Sequence, residues 1–166
     1  MTSQQKKILI TDRFALHAEA LLKSRNHFSI LRTHTHMPTA DELQNAKALL
    51  IRSRTKITKD FLDQAKDIEL IISSTSGYDH IDLEETQKRN IKVFHTPEAN
   101  AQSTAELTML LMLSCARQTN IANKMIQKSE WKRDELNAFQ LAGKNLGIIG
   151  LGRVGSRVAQ MAKAMG

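Results

Sequence analysis

Gly150-Leu151-Gly152-Arg153-Val154-Gly155 is the stretch on which the fold turns. Before it runs Lys144-Asn145-Leu146-Gly147-Ile148-Ile149, a short apolar run with the pattern of a buried strand. After it, Arg153 to Met165 carries Val154, Val158, Met161 and Met165 on one side of a helix. Strand, glycine turn and helix together are the setting in which a bare GxGxxG signals a dinucleotide site. The first glycine makes the tight turn, the second lets a pyrophosphate approach the backbone, and the third lets helix pack on strand. The phosphates then lie at a helix N-terminus, where free N–H groups and the dipole favour negative charge. The acid that would hold the adenosine ribose is expected about 20 residues further on, past Gly166.

Upstream, five short apolar runs alternate with helical patterns. The strands are Ile8–Ile10, Phe28–Leu31, Ala48–Ile51, Glu69–Ser73 and Ile91–Phe94. Between them, Phe14 to Lys23 has apolar residues at helical spacing, and Thr39-Ala40-Asp41-Glu42 has the spacing of a capping box. Thr58 can cap Lys59–Ala65, and Asp82 can cap Leu83–Arg89. Such alternation predicts a parallel sheet covered on both faces. Ser103-Thr104-Ala105-Glu106 reads as a second capping box, opening one long helix to about Lys128 with Leu107, Leu110, Leu111 and Ser114 on one face. An almost wholly apolar helix of this kind is expected between layers or at a subunit interface. Trp131 to Lys144 connects it to the glycine turn, and the domain break is expected near Pro97 to Ser103.

The 166 residues, 41% apolar and 25% charged, have the composition of a globular protein with a sizeable core. The formal charge of +7 favours anionic partners. Scattered solvated lysines are the plainer reading and nucleic acid is not the expected partner, because no Lys/Arg block resembles a nucleic-acid arm and one Trp and one Tyr offer little for stacking. The single cysteine, Cys115, excludes an internal disulfide framework and reads as a small buried hydrophobe. Met1 to Lys7 lacks the apolar core of a leader, and no apolar run approaches a membrane span, so a cytoplasmic location is the default expectation.

In a doubly wound sheet, ligands sit at the carboxyl ends of the strands. Arg52-Ser53-Arg54-Thr55 follows the third strand, where the Arg52 guanidinium can bind carboxylate or phosphate and Ser53 offers a hydroxyl. Ser74 to Asp82 follows the fourth, and Gly77 there permits close approach to an anion. Asp79 and Asp82 read as turn former and helix cap, and His80 as a hydrogen-bonded loop histidine. Asn100, after the fifth strand, can donate to a substrate oxygen or bond locally in a turn. The HxH of His34 and His36 lacks a third ligand and reads as surface loop.

In one register, residues 48 to 166 resemble the D-isomer-specific 2-hydroxyacid dehydrogenases. The resemblance rests on RSRT (Arg52–Thr55), GYDHIDL (Gly77–Leu83), VFHTP (Val93–Pro97), NAQSTAELT (Asn100–Thr108), ARQ (Ala116–Gln118), Trp131 and LAGKNLGIIGLGRVG (Leu141–Gly155). It implies two α/β domains. Residues 1–99 would be most of a flavodoxin-like parallel-sheet substrate domain, and residues 100–166 the truncated beginning of a Rossmann NAD-binding domain. Carried over by motif, Arg52, Ser53, Gly77 and Asn100 would bind the substrate's acidic end. Ser76 and Thr104 would lie near the nicotinamide, and Gly150, Gly152, Arg153, Val154 and Gly155 would cradle the pyrophosphate. Asn90 stands where a glycine is common, which is tolerable because Asn can adopt the left-handed conformation. His80 and His95 stand where the family often has Asn, so altered local hydrogen bonds are expected.

The implied activity is NAD-dependent oxidation of a D-2-hydroxyacid. Within the family the favoured reaction is D-3-phosphoglycerate to 3-phosphohydroxypyruvate, in serine synthesis. Glyoxylate, hydroxypyruvate and lactate-type substrates are the alternatives. The family's catalytic Arg, Glu and His lie downstream, so no catalytic residue is assigned in residues 1–166 and the chain by itself is expected to be inactive. A small anionic substrate, a homodimer or tetramer, no metal, no nucleic acid and no membrane complete the expectation. A non-enzymatic corepressor, or a pseudoenzyme acting as a dimerisation partner on the same fold, is the reading from another class.

Overall fold

The computed structural model describes residues 5–25 and 27–166. Part of Met1–Lys7, the stretch read as lacking a leader, lies outside the described residues. The chain separates into two compact units, Met1–Pro97 and Glu98–Gly166.

The first unit holds β1 (Lys6–Ile10), α1 (Leu16–Lys23), β2 (Phe28–Arg32), α2 (Ala40–Leu43), β3 (Ala46–Ile51), α3 (Lys59–Gln64), β4 (Leu70–Ser73), α4 (Leu83–Lys88) and β5 (Lys92–His95). The sheet is parallel throughout, in the order β2-β1-β3-β4-β5. This is the flavodoxin-like order, and its switch point lies between the neighbouring strands β1 and β3. Successive side chains point to opposite faces. Leu9, Leu49, Ile51 and Ile71 therefore join Leu43, Leu62, Ile81 and Ile91 in one core layer. Ile8, Ile10, Ala48 and Leu50 form the other, with Phe14, Leu22, Phe28 and Ile30 against them. A sheet buried on both faces explains why its central strands read as unbroken apolar runs.

The three helix starts expected here are built as read. Thr39 and Glu42 form a reciprocal capping box, Thr58 Oγ1 accepts from Phe61 N at 3.2 Å, and Asp82 Oδ1 accepts from Glu85 N at 3.0 Å. Asn90 has φ 56°, the left-handed conformation that Asn tolerates.

The second unit holds α5 (Ala101–Arg117), α6 (Thr119–Gln127), a single 3-10 turn (Arg133–Glu135) and α7 (Arg153–Ala164). It corrects several expectations. Ser103 and Thr104 are not caps. The helix has already begun at Ala101, and both hydroxyls donate back to the Asn100 carbonyl, at 3.0 and 2.8 Å. The helix does not run unbroken to Lys128, because Gln118 takes the left-handed conformation (φ 51°, ψ 38°) and splits it. The buried stripe of α5 is Ala101, Ala105, Met109 and Ala116, whereas Leu107, Leu110 and Leu111 are each more than half exposed. Of this stripe, Ala105 and Met109 pack with Val154, Val158 and Met161 of α7. Cys115 is exposed, not buried. Residues 144–149 join no strand ladder: all the sheet strands among the described residues belong to the first unit, so no neighbouring strand satisfies this run's backbone groups.

Candidate functional site

The candidate site residues of the first unit lie in the loops that follow β3 and β4, at the carboxyl edge of its sheet. After β3, the loop is tied down by Thr55, whose hydroxyl lies 2.7 Å from Thr11 Oγ1 and donates to His36 O at 3.0 Å. Within this loop the two arginines differ. Arg54 donates through Nε and an Nη nitrogen to Oδ1 of buried Asp12, at 3.2 Å each. The Arg52 guanidinium, exposed at the end of β3, makes no ion pair or hydrogen bond among the described residues. Ser53 is likewise exposed. Arg52 therefore presents a free bidentate donor beside the switch point, where a carboxylate or phosphate would be met.

Asp12 was missed at the level of sequence, although an acid two residues past the buried run Ile8–Ile10 was a usable signal. Its Oδ2 is buried with no hydrogen-bond partner among the described residues, and its carbonyl accepts from Arg32 at 3.0 Å. Arg32 in turn pairs with Glu19.

After β4, Gly77 is exposed and Ser76 half-buried. Thr75 Oγ1 donates to Gly77 O at 2.7 Å and lies 2.6 Å from Ser73 Oγ, which lies 2.8 Å from His80 Nε2. His80 is buried, as a structural loop histidine should be, and not poised in solvent as a base. Loss of hydration pushes its pKa below the usual histidine value; Lys56 adds to this, while Asp79 and Asp12 oppose it. His95 Nδ1 donates to Ser76 O at 3.0 Å, and the Tyr78 ring stands edge-on to it, with centroids 5.1 Å apart. His34 and His36 are exposed, and among the described residues no three potential ligands gather as a metal site.

In the second unit, Asn100 precedes α5, and its carbonyl starts the helical ladder by accepting from Thr104 N at 2.9 Å. The glycine turn has a distinct job for each glycine. Gly150 has φ +90°, open to glycine and strained for any side chain. A Cβ on Gly152 would meet nothing within 4 Å, so the backbone before α7 is accessible. A Cβ on Gly155 would lie 2.1 Å from Gly150 O, so α7 can pack on the turn only without one. The first α7 N–H with a carbonyl partner is that of Ser156, on Gly152 O at 2.9 Å; those of Arg153, Val154 and Gly155 have none among the described residues, as in any first helical turn. Arg153 Nε reaches Glu98 Oε1 at 3.4 Å. Val154, Val158 and Met161 pack with Ala105, Met109 and Ile148. An apolar cavity of about 330 Å³ opens elsewhere in this unit, lined by Met109, Leu141, Leu146 and Met165 among others, and none of the glycine-turn residues borders it.

No helix among the described residues is long and apolar enough to cross a membrane.

Residues 8–156 match the family described as D-isomer specific 2-hydroxyacid dehydrogenase, catalytic domain. The chain is 36% identical over 160 residues to D-3-phosphoglycerate dehydrogenase of Methanocaldococcus jannaschii, covering 96% of this chain and 30% of that protein. It is 34% identical over 164 residues to hydroxypyruvate reductase of Thermotoga maritima, covering 96% of this chain and 53% of the relative. Among solved structures, D-lactate dehydrogenase of Aquifex aeolicus, complexed with NAD and lactic acid, superposes with a TM-score of 0.86 at 28% identity, covering 95% of this chain and 48% of that one. The chain thus spans from under a third to about half the length of these relatives.

Proposed function

The chain belongs to the D-isomer specific 2-hydroxyacid dehydrogenase family, and from that premise we propose that it is the N-terminal part of an NAD-dependent oxidoreductase acting on the CH–OH group of a D-2-hydroxyacid. The substrate we favour is D-3-phosphoglycerate, oxidised to 3-phosphohydroxypyruvate; the phosphoglycerate dehydrogenase relative and the uncombined Arg52 support it. Glyoxylate or hydroxypyruvate reduction is the second reading, supported by the Thermotoga relative.

The observation that carries the proposal is the contact of Gly155 with Gly150. It gives the turn the close packing of a dinucleotide site and leaves accessible backbone at Gly152. The residues present fit NAD: a positive-φ glycine, an open second glycine and three unpaired N–H groups in the first turn of α7 suit a pyrophosphate. Bound there, NAD supplies the hydride acceptor. The chain's own residues do the rest of the binding. Gly150, Gly152, Arg153, Val154 and Gly155 hold the phosphates, and Ser76 and Thr104 serve the nicotinamide side. Arg52, Ser53, Gly77 and Asn100 hold the acid end of the substrate. Residues 1–99 are then the substrate domain and residues 100–166 the opening of the NAD domain. The proton-exchanging His, the Arg that polarises the carbonyl and the Glu that orients the His lie C-terminal to Gly166 on this reading, and residues 1–166 alone turn nothing over. The exposed Leu107, Leu110 and Leu111 support a homodimer or tetramer.

The test is isothermal titration of NAD into the protein expressed from its complete gene, beside a Gly152→Val variant. Saturable binding abolished by the variant is expected; equal binding by both would remove the turn from the site.

A further inference from the structure

The loop after β4 is held from behind by two histidines whose proton positions follow from the hydrogen bonds themselves. A carbonyl oxygen only accepts and a hydroxyl has one proton to give. Thr75 spends its proton on Gly77 O. The 2.6 Å contact between Thr75 and Ser73 must therefore be donated by Ser73. Ser73 has no second proton, so the 2.8 Å contact with His80 must be donated by Nε2–H. On the other side, Ser76 O can only accept, so His95 donates from Nδ1–H. The two rings carry opposite donors.

Each tether fixes a peptide plane. The peptide bonds are trans, so the N–H following a carbonyl points the opposite way. Holding Ser76 C=O toward His95 turns the Gly77 N–H away from that ring. Holding Gly77 C=O toward Thr75 turns the Tyr78 N–H away from Thr75. Neither N–H meets an acceptor among the described residues. Two consecutive unpaired backbone N–H groups are donors available to an anion.

We infer that His80 and His95 are positioning residues, in opposite tautomers, that aim the Gly77 and Tyr78 N–H groups at the acid end of the substrate. The inference rests on the proposed reading of Gly77 as a substrate contact. His95 acts directly, His80 through Ser73 and Thr75. Burial lowers the His80 pKa and so favours its neutral ring, and Nδ1 lies 4.0 Å from Asp79 Oδ1. Protonation would occur at Nδ1, leaving the Nε2–H donor in place.

The test uses the protein expressed from its complete gene. Long-range proton–nitrogen NMR correlations of the wild type assign each tautomer without any substitution; Nε2–H at His80 and Nδ1–H at His95 are expected. His95→Asn places an amide nitrogen near Nδ1, and His80→Gln places one near Nε2. Both should keep the KM for D-3-phosphoglycerate. His95→Leu and His80→Leu should raise it about tenfold, the effect of one misdirected charge-assisted hydrogen bond, with kcat changed much less. Swapped tautomers, or Leu variants with unchanged KM while the Gly77 amide resonance still moves on adding substrate, would overturn the inference alone. A Gly77 amide resonance indifferent to substrate would overturn the reading of Gly77 and the inference with it.

Discussion

Gly155 lies so close to Gly150 that a single added methyl at residue 155 would sit 2.1 Å from the Gly150 carbonyl oxygen and 3.2 Å from its carbonyl carbon. Both are backbone atoms, which cannot swing aside as a side chain can. The turn and α7 are locked together by the absence of one carbon atom.

Gly155→Ala should therefore part α7 from the turn, at a cost of about 1–3 kcal/mol in overpacking. Gly152→Ala meets open space, and its stability cost should stay under about 1 kcal/mol, the scale of a helix-cap substitution. Both should weaken NAD binding, the first through a displaced turn and the second by crowding the phosphate. Thermal unfolding beside NAD titration separates the two; equal loss of stability would show that the close approach of Gly155 to Gly150 is not the constraint.

Arg52 and Arg54 are two residues apart and should respond oppositely. Arg54→Ala removes the only partner that the buried Asp12 carboxylate has among the described residues. It should destabilise the fold by about 1–3 kcal/mol, since Arg54 is itself largely exposed. Arg52→Ala should leave stability within about 0.5 kcal/mol and raise the substrate KM about ten- to a hundredfold. Chemical denaturation and steady-state kinetics on both variants check this; a stable Arg54→Ala protein with the larger KM defect would reverse the two roles.

His80 gives the stability a definite pH dependence. Its folded pKa lies below the unfolded value of about 6.5, chiefly through burial, with Lys56 adding to the depression and Asp79 and Asp12 opposing it. The unfolded chain then binds the extra proton first, so this contribution to stability is intact above about pH 6.5 and is lost as pH falls through the folded pKa. Denaturation midpoints measured downward from pH 7 should fall less steeply in His80→Gln than in the wild type. Parallel curves would show that His80 does not carry the effect.

Asn90 closes α4 at φ 56°. Asn90→Gly should be neutral or slightly stabilising, and Asn90→Ala should cost about 1–2 kcal/mol, the penalty of a left-handed Cβ. Thermal melts of the two variants decide; equal melting temperatures would contradict the assigned conformation.

The sheet was legible because burial on both faces leaves a plain signal: apolar runs such as Ala48–Ile51 punctuated by Thr39, Thr58 and Asp82, each a helix cap by its own side chain. The second unit was less legible for physical reasons. Ser103 and Thr104 have cap-like chemistry, but a hydroxyl within a helix can equally donate back to a carbonyl three or four residues earlier, and here both do so. The α5 leucines outnumber its alanines, yet the contact with α7 selects Ala105, which allows close approach, and Met109, whose flexible side chain fills the space beside it. Leu146–Ile149 has a strand's composition, but a strand exists only with a neighbour, and neighbours are not written in local sequence. In the site, Arg52 and Gly77 could be named from their places after strands. Asp12 also follows a strand, but its partner Arg54 lies 42 residues away, and the Ser73–Thr75 relay depends on His80, 7 residues from Ser73, so neither role was written in local sequence.

The central claim is that these residues build the binding half of a D-2-hydroxyacid dehydrogenase. Its most direct test is nicotinamide reduction by the protein expressed from its complete gene, supplied with NAD and D-3-phosphoglycerate, hydroxypyruvate's reduced form D-glycerate, or D-lactate, each beside its L enantiomer where one exists. The account predicts turnover with a D substrate, fastest with D-3-phosphoglycerate, none with the L forms, and a KM raised by Arg52→Ala. Absence of turnover with every D-2-hydroxyacid, or equal rates with the L forms, would contradict it.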